Sequence, residues 1–258
     1  GHHSWAPATY DAPKTCEVCG ATEGEALTAV ASVNGEKYGT LAAAVEAAAP
    51  GATVKLLGNA TGAGVVINKD ITIDFGGKTY TFNEGVGSTG TESNGLQILT
   101  GNTVILENGT LEVAEDAADK FYILVQNYAD LTVTDMTLDG TNLDKWSATD
   151  GDSYTLSINS GAVTINGDTD IIANDQGDLA FAFDACKYAS YEIPTVTVNT
   201  TGTIDGNIEV TGGALTLTAA TINGALVYED GTVTKAKTVT LTAPEGYEWD
   251  DTGVLTEK

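Results

Sequence analysis

The sequence contains no arginine, and its charge is almost all of one sign. All 11 basic residues are lysines, whereas Asp and Glu number 36, which gives a formal net charge of −25. Such a surface repels phosphate backbones and anionic lipid headgroups. We therefore expect neither a nucleic-acid partner nor binding to a membrane surface, and high negative charge also serves solubility.

Long apolar runs are missing as well. No stretch reaches the roughly 18 consecutive apolar residues of a transmembrane helix, so we expect no membrane insertion. The first residue is Gly1, and no basic-then-apolar leader follows it. We interpret this start as a trace of processing and expect an extracellular or cell-wall-associated protein.

Cysteine is scarce, and its count is odd. Cys186 is isolated, whereas Cys16 and Cys19 have the spacing of half a tetrahedral zinc site. His3 is near them in sequence, so His3, Cys16 and Cys19 are the candidate metal ligands. A local disulfide and free thiols are the alternatives. Redox catalysis is not expected, because a thioredoxin-like site needs a βαβ context that the sequence does not offer.

What the sequence has in abundance is one strand phrase, in which Val, Ile or Leu alternates with Thr until Gly or an Asn/Asp-Gly turn. The phrase begins at Ile71, Val104, Leu131, Val163, Val196, Leu215 and Val239. Apolar residues then line one side of each strand and threonines the other. Self-similarity of this kind is the signature of a solenoid, and the spacings of 19 to 33 residues exclude repeats of fixed length. We predict an all-β fold, a right-handed parallel β-helix of about seven turns.

The residues before the first phrase have a different character. Residues 1–28 carry both histidines and two of the three cysteines, and we assign them to a small N-terminal segment ahead of a β-helix domain at 29–258. Asn34-Gly35 predicts a hairpin turn. Residues 41–49 predict a short capping helix, with Thr40 as N-cap and Pro50-Gly51 as its end.

Two resemblances follow from these residues. The chain from about 33 to 245 resembles pectin-lyase-like right-handed parallel β-helix surface proteins of Gram-positive gut bacteria. The matching residues are Val33-Asn34-Gly35, Tyr38, Leu41, Ala44-Val45 and Ile71-Thr-Ile-Asp-Phe-Gly-Gly-Lys78. Residues 1–27 resemble a secreted Cys/His repeat of the form GHxW…CxxCG, in which Tyr10 replaces a Cys of the pattern. If that repeat binds a metal through His and three thiolates, this copy keeps His3, Cys16 and Cys19.

The sequence lacks the catalytic features that the resemblance implies for enzymes of the pectin-lyase-like fold. The resemblance implies an Arg or Lys base for lyases, often with calcium, and paired Asp with GHG and RIK motifs for hydrolases. Arg is absent, neither motif occurs, and the only adjacent Asp pair is Asp250-Asp251. Asp135, Asp139 and Asp205 stand at turn positions, where Asp is expected for backbone reasons.

Two interruptions of the repeat are candidates for function. Residues 141–153 form a long loop in which Trp146 suits stacking on a sugar or anchoring a protein, and Asp150 and Asp152 suit weak calcium binding. The alternative is a solvated insertion with Trp146 packed on the scaffold. Residues 179–195 form an aromatic insertion, which either covers the core or presents a sticky patch.

These observations predict a non-catalytic adhesion or ligand-binding module of a bacterial surface, with an extracellular glycan or protein as partner. Two alternatives stay open, a carbohydrate-active enzyme with an unrecognised acidic site and a purely structural spacer. No cofactor is expected, and zinc at the N-terminal segment and calcium at the 141–153 loop are the alternatives.

Overall fold

The structure is a computed structural model that describes residues 2–88, 91–145, 152–174 and 180–258. The fold is all-β with one short helix. The first strands are β1 (Trp5–Ala6), β2 (Lys14–Cys16), β3 (Thr22–Glu23), β4 (Ala31–Val33) and β5 (Glu36–Tyr38), followed by helix α1 (Leu41–Ala47). Next come β6 (Ala52–Leu56), β7 (Ala60–Ala63), β8 (Val65–Ile67), β9 (Ile71–Glu84), β10 (Val86–Ser88), β11 (Thr91–Ile98), β12 (Thr103–Val113), β13 (Ile123–Asn127) and β14 (Asp130–Asp139). The last are β15 (Ser153–Ile158), β16 (Ala162–Gly167), β17 (Asp170–Ile172), β18 (Ala180–Cys186), β19 (Thr195–Asp205), β20 (Asn207–Ile222), β21 (Leu226–Lys235), β22 (Tyr247–Trp249) and β23 (Leu255–Glu257).

The strands form three sheets of very different size. Strands β1, β2 and β3 make a small antiparallel sheet at the N-terminus, and β22 and β23 make a hairpin near the C-terminus. The other 18 strands belong to one mixed, mostly parallel sheet. The small N-terminal sheet occupies the residues that differ in composition from the rest of the chain.

The predicted hairpin and helix are both confirmed. Asn34 and Gly35 have φ values of 51° and 85°, the left-handed pair that a two-residue turn between β4 and β5 requires. The Thr40 side chain accepts a hydrogen bond from the Ala43 amide at 3.1 Å and so caps α1. The helix ends at Ala47, earlier than predicted, because Ala48 is already extended ahead of Pro50.

The repeated phrases pair with one another in register. Ile71 is the Cα partner of Val104, which partners Leu131, and the series continues through Val163, Val196 and Leu215. We call this series the first ladder. Six of the seven phrase starts are therefore confirmed as register partners, all in parallel strands.

The prediction that Val239 begins a seventh strand of this series is wrong. Leu215 pairs with Val233 of β21, and residues 239–242 carry no strand. A turn at residues 236–239 diverts the chain, and Val239 and Leu241 are buried in the core without joining the ladder. The Trp249 indole donates a hydrogen bond to the Leu241 carbonyl at 2.9 Å. The apolar alternation at this point therefore reflects burial without strand pairing, which periodicity does not distinguish.

Two further ladders run beside the first and complete the core. The second joins Tyr80, Leu111, Leu138, Ile171 and Ile204, and the third joins Val65, Leu96, Val125, Leu156 and Phe183. All of these side chains are buried in a single apolar cluster. The threonines between the inward residues of the first ladder, such as Thr132, Thr164 and Thr197, lie on its outer side.

Acidic side chains fasten the corners between neighbouring strands. The Asp130 carboxylate accepts from the Ala162 amide at 2.8 Å, and the Asp170 carboxylate accepts from the Thr203 amide at 2.7 Å. Asp135, with φ of 53°, accepts from the Asp168 amide at 2.8 Å. These hydrogen bonds satisfy backbone amides that have no partner within the ladders where strands begin. Much of the acid content therefore serves the backbone, as predicted for Asp135.

The aromatic insertion at 179–195 is only partly an insertion. Residues 180–186 are strand β18, which pairs in parallel with β15 and β20. Phe181 and Phe183 are buried, whereas the following loop exposes Tyr188 and Tyr191. The sequence-based prediction treated a regular strand and a surface loop as one insertion. Strand β18 is apolar and contains no threonine, so it lacks the repeated pattern.

No helix in the described ranges has the length and apolar character that crossing a membrane requires.

Gly161 provides a test of the close approach between neighbouring chain segments of the sheet. A Cβ at Gly161 would lie 2.0 Å from the Ala129 carbonyl oxygen, and φ there is +85°. We expect Gly161→Ala to lower the free energy of unfolding by about 3 kcal/mol or more, measured by urea titration, since strain and a backbone clash add.

The matched control is Gly51→Ala. Gly51 has nearly the same φ of +79°, but nothing lies within 4 Å of its Cβ position. This variant should lose only about 1–2 kcal/mol from the left-handed backbone. Equal losses at the two positions would contradict the packing that the ladders impose.

Candidate functional site

Three side chains of the N-terminal sheet form what we call the Cys/His cluster. His3 Nδ1 lies 3.3 Å from Cys16 Sγ and 3.5 Å from Cys19 Sγ, and the three potential ligand atoms lie within 4.8 Å of one another. Cys16 ends β2 and is buried, whereas His3 and Cys19 are exposed. The structure thus brings together the three residues that the sequence singled out.

The backbone around Cys16 and Cys19 explains this convergence. Gly20, with φ of +72°, donates its amide to the Cys16 carbonyl at 2.8 Å and closes a tight turn. Strand pairing of Trp5 with Cys16 carries His3 to the open side of that turn. The hydrogen bond with His3 is the main influence that lowers the pKa of the Cys16 thiol to about 7, which favours the thiolate. All three cysteines of the chain are free, so the disulfide alternative does not occur in this structure.

A second site lies on the large sheet, where three tyrosines gather. Tyr128 follows β13, and its ring centroid lies 4.9 Å from that of Tyr191 and 6.1 Å from that of Tyr188. Tyr188 and Tyr191 remain 49% and 39% exposed. Partial burial raises the pKa of Tyr128 to about 12, so its hydroxyl stays a hydrogen-bond donor at neutral pH.

The loop that carries Tyr188 and Tyr191 is anchored at both ends. The Lys187 amide donates to the Thr211 carbonyl at 3.0 Å, and the Pro194 carbonyl accepts from the Ala214 amide at 2.9 Å. Between these anchors, a turn is closed by the Tyr191 amide and the Tyr188 carbonyl at 3.1 Å. Fixed ends and a closed turn hold the two rings against Tyr128.

Beside the tyrosines runs a depression of about 500 Å³, which we call the tyrosine groove. Its walls come from the turns before β12, β14 and β16 and from the 190–192 loop. Polar and aromatic side chains dominate, among them Asn102, Thr103, Tyr128, Asp130, Tyr191 and Glu192. Because these turns belong to successive strands of the first ladder, spaced about 4.8 Å apart, the groove extends across roughly 10 Å of the sheet.

Two acidic residues, Asp184 buried and Glu209 half-buried, pair across β18 and β20. Asp184 of β18 is 4% exposed and is the register partner of Glu209 in β20. The Asp184 carboxylate accepts hydrogen bonds from the Ile158 amide and from the Ser157 hydroxyl. The Tyr154 hydroxyl donates to Glu209 Oε2 at 2.8 Å.

Burial is the main cause of the unusual titration of this pair. It raises the pKa of Asp184 from 3.8 to about 8 and also raises the pKa of Glu209. The two hydrogen bonds to Asp184 oppose the shift without cancelling it. Neither residue is marked by a motif in the sequence, where the only signal is one acid inside the apolar run Ala180–Cys186.

The predicted ligand trio at the 141–153 loop is only partly placed. Trp146 and Asp150 lie outside the described residues. Asp152 is half-buried just before β15, where its carboxylate lies 3.5 Å from the Tyr154 hydroxyl. Asp152 therefore belongs with the acidic pair and not with the tyrosine groove, since Tyr154 contacts both Asp152 and Glu209.

The Asp pair at 250–251 has a structural role in the C-terminal hairpin. Asp250 Oδ1 accepts from the Thr252 and Val254 amides, both at 2.8 Å. These bonds, with the Val254 amide first, hold the pKa of Asp250 below its usual value. A carboxylate engaged in this way serves the turn.

No family model matches the chain, and neither does any curated protein or solved structure.

The raised pKa of Asp184 predicts a pH-dependent stability. The folded protein keeps a proton on Asp184 that the unfolded chain has released above pH 3.8, so the stabilisation is complete at low pH and is lost as pH rises towards 8. We expect the free energy of unfolding to fall by about 1 kcal/mol per pH unit across this window. Chemical denaturation between pH 5 and pH 7 measures it, with the pH limits set about one unit inside the two values.

Substitution by the isosteric amide isolates the effect. Asp184→Asn should flatten most of that slope, leaving the smaller contribution of Glu209, which has the same sign. The exposed Asp205→Asn removes one carboxylate elsewhere and should leave the slope unchanged. A slope that persists in Asp184→Asn would contradict the assignment.

Proposed function

We propose that this chain is a secreted or cell-surface ligand-binding module, non-catalytic, built on a right-handed parallel β-helix of the pectin-lyase-like type. Its ligand is an extracellular glycan. The observation that carries the proposal is the tyrosine groove, a polar depression of about 500 Å³ with a cluster of half-exposed tyrosines at its edge.

The β-helix assignment is supported by the three ladders. Each successive segment of the chain returns to the same three positions and pairs in parallel with the segment before it. Crossover connections between parallel strands of one sheet are right-handed in nearly all proteins. Helix α1, which lies against β4, β5, β6 and β8, has the position of a cap on the first turn.

The groove has the chemistry that carbohydrates require. Sugars present many hydroxyl groups and small apolar faces, so their sites combine hydrogen-bonding side chains with a few rigid aromatic rings. Thr103 and Asn102 supply the first element, and Tyr128 and Tyr191 supply the second. Tyrosine brings large contact area at low entropic cost, since few torsions are fixed on binding.

The acidic pair supports a non-catalytic protein. Asp184 and Glu209 are the carboxylates whose environment most resembles that of a hydrolase, because burial raises the pKa of both. The Asp184 oxygens, however, are buried and already accept hydrogen bonds from Ile158 and Ser157. A general acid must reach the substrate oxygen, and this carboxyl group faces the protein.

Glycan binding is tested by presenting the protein to arrays of extracellular polysaccharides and oligosaccharides, followed by titration of the best ligand. Tyr191→Ala should weaken binding roughly tenfold or more, because the ring forms the edge of the groove. Val18→Ala is the control, since Val18 is an apolar side chain 78% exposed on the N-terminal segment. Uniform absence of binding across the arrays would overturn the proposal.

We also propose that the Cys/His cluster holds one zinc ion. Two thiols and one imidazole nitrogen within 4.8 Å of one another fit the short bonds of tetrahedral zinc, about 2.0–2.3 Å, after small movements. Three protein ligands leave one position for water or another donor. Bound in this way, the metal would cross-link the N-terminus to the Cys16–Cys19 turn and stabilise a sheet too small to bury a core of its own.

The zinc proposal predicts one equivalent of bound metal per chain. Cobalt(II) substitution should give the absorption of a thiolate-ligated tetrahedral ion, and Cys19→Ala should abolish it because a ligand is lost. Cys186→Ala removes a cysteine outside the cluster and should bind cobalt like the parent protein. Equal binding by the Cys19→Ala variant would show that the metal sits elsewhere.

A further inference from the structure

The charges around the tyrosine groove indicate which sugars it accepts. Asp130 and Glu192 both line it, and no lysine is among its lining residues in the part of the chain that the structure describes. Glu192 is exposed on the 190–192 loop. The Asp130 Oδ1 atom accepts from the Ala162 amide, and its other oxygen takes no hydrogen bond from the described residues. Each acid therefore offers negative charge to a bound molecule.

Lys69 lies beside Asp70, whose carboxylate accepts from the Thr103 amide at the groove's wall, but its ammonium group is engaged elsewhere. Lys69 donates its ammonium group to the Glu46 and Ala48 carbonyls at 2.9 and 3.0 Å, at the end of helix α1. Lys187 begins the tyrosine loop and is exposed, but it is not among the residues that line the groove. An anionic ligand in the groove would thus meet two carboxylates without a compensating cation.

Tyrosine rings beside carboxylates favour the opposite charge. A ring face attracts an ammonium group through its quadrupole, and a carboxylate a few ångströms away adds to the attraction. The rings of Tyr128 and Tyr191 meet at 44°, so they present two differently inclined faces at one side of the groove. The Thr103 hydroxyl and the Asn102 side-chain oxygen are suited to sugar hydroxyls, whereas the Asn102 Nδ2 group already donates to the Leu99 and Thr100 carbonyls.

We propose that the tyrosine groove selects oligosaccharides that carry free amino groups, accepts neutral ones more weakly and rejects uronic-acid chains. This inference rests on the proposed glycan-binding function and names the chemical class of its ligand. Selection arises from Asp130 and Glu192 together with the Tyr128 and Tyr191 rings, while the hydroxyl contacts are common to all three classes. A cationic peptide shares the charge but not the hydroxyl groups.

Three oligosaccharides of equal length test this directly by calorimetry on the full chain. They are hexamers of glucosamine, N-acetylglucosamine and galacturonic acid, compared at about pH 6, where the amine is largely protonated. We expect the glucosamine hexamer to bind about tenfold tighter than the N-acetylated one, and the galacturonate hexamer at least tenfold weaker than that. Raising the salt concentration from about 0.05 to 0.5 M should narrow these differences.

Matched variants locate the selectivity. Glu192→Gln and Asp130→Asn should each reduce the preference for the amine roughly threefold to fivefold, and Asp130→Asn keeps the oxygen that accepts from Ala162. Glu245→Gln removes the same charge from an exposed position outside the groove and should change the preference less than twofold. An equal effect of all three variants would show that the net charge of −25 attracts amines without the groove, and would overturn the inference.

The other outcomes are also decisive. If the three hexamers bind with equal affinity, the groove does not discriminate between ligands by charge. The inference then fails, while the proposed glycan-binding function stands. If a pentalysine peptide binds as tightly as the glucosamine hexamer, the site reads charge without the sugar, and the inference also fails. If Tyr191→Ala leaves every affinity unchanged or no saccharide binds, the proposed function fails with it.

Discussion

Parallel, in-register pairing of successive chain segments is the constraint on which this structure depends. Each segment must present an apolar residue where its predecessor does, as Ile71, Val104 and Leu131 do in the first ladder. A shift of one residue would turn threonines inward and expose the apolar set, so register and burial fix each other. The close approach of neighbouring chain segments then leaves no room for a side chain at Gly161, whose Cβ would meet a carbonyl oxygen.

Parallel pairing leaves some backbone polar groups without a ladder partner where strands begin and end, and acidic side chains form hydrogen bonds with them. The carboxylates of Asp130, Asp135 and Asp170 each accept a hydrogen bond from a backbone amide of the neighbouring chain segment. The large negative charge is therefore partly the result of how corners are fastened. Asp130 would serve both purposes under the proposed function, because it holds the Ala162 amide and also lines the tyrosine groove. Structure and recognition can share a residue when a corner lies beside an opening.

The two candidate sites differ in how far the sequence could reveal them. His3, Cys16 and Cys19 were accessible because their spacing is local and a tight turn at Gly20 closes it. The tyrosine groove was only half accessible. Tyr188 and Tyr191 belong to the aromatic insertion predicted at 179–195. Tyr128 lies some 60 residues earlier and is brought next to them only by the pairing of distant strands. Asp184 and Glu209 were not found, since two acids in separate strands carry no sign of being register partners.

Local sequence patterns were sufficient to predict the class of fold, the hairpin at Asn34-Gly35, the cap at Thr40 and the register of six phrase starts. Each of these depends on a period or on two to four neighbouring residues, so the physical cause lies within a short window. Tertiary structure alone decided that Val239 and Leu241 are buried outside the ladder and that residues 180–186 form a regular strand. It also decided which acids are buried and which side chains line the groove. The reason is that burial and proximity depend on which distant segments lie side by side, and loops of unequal length set that arrangement without leaving a local pattern.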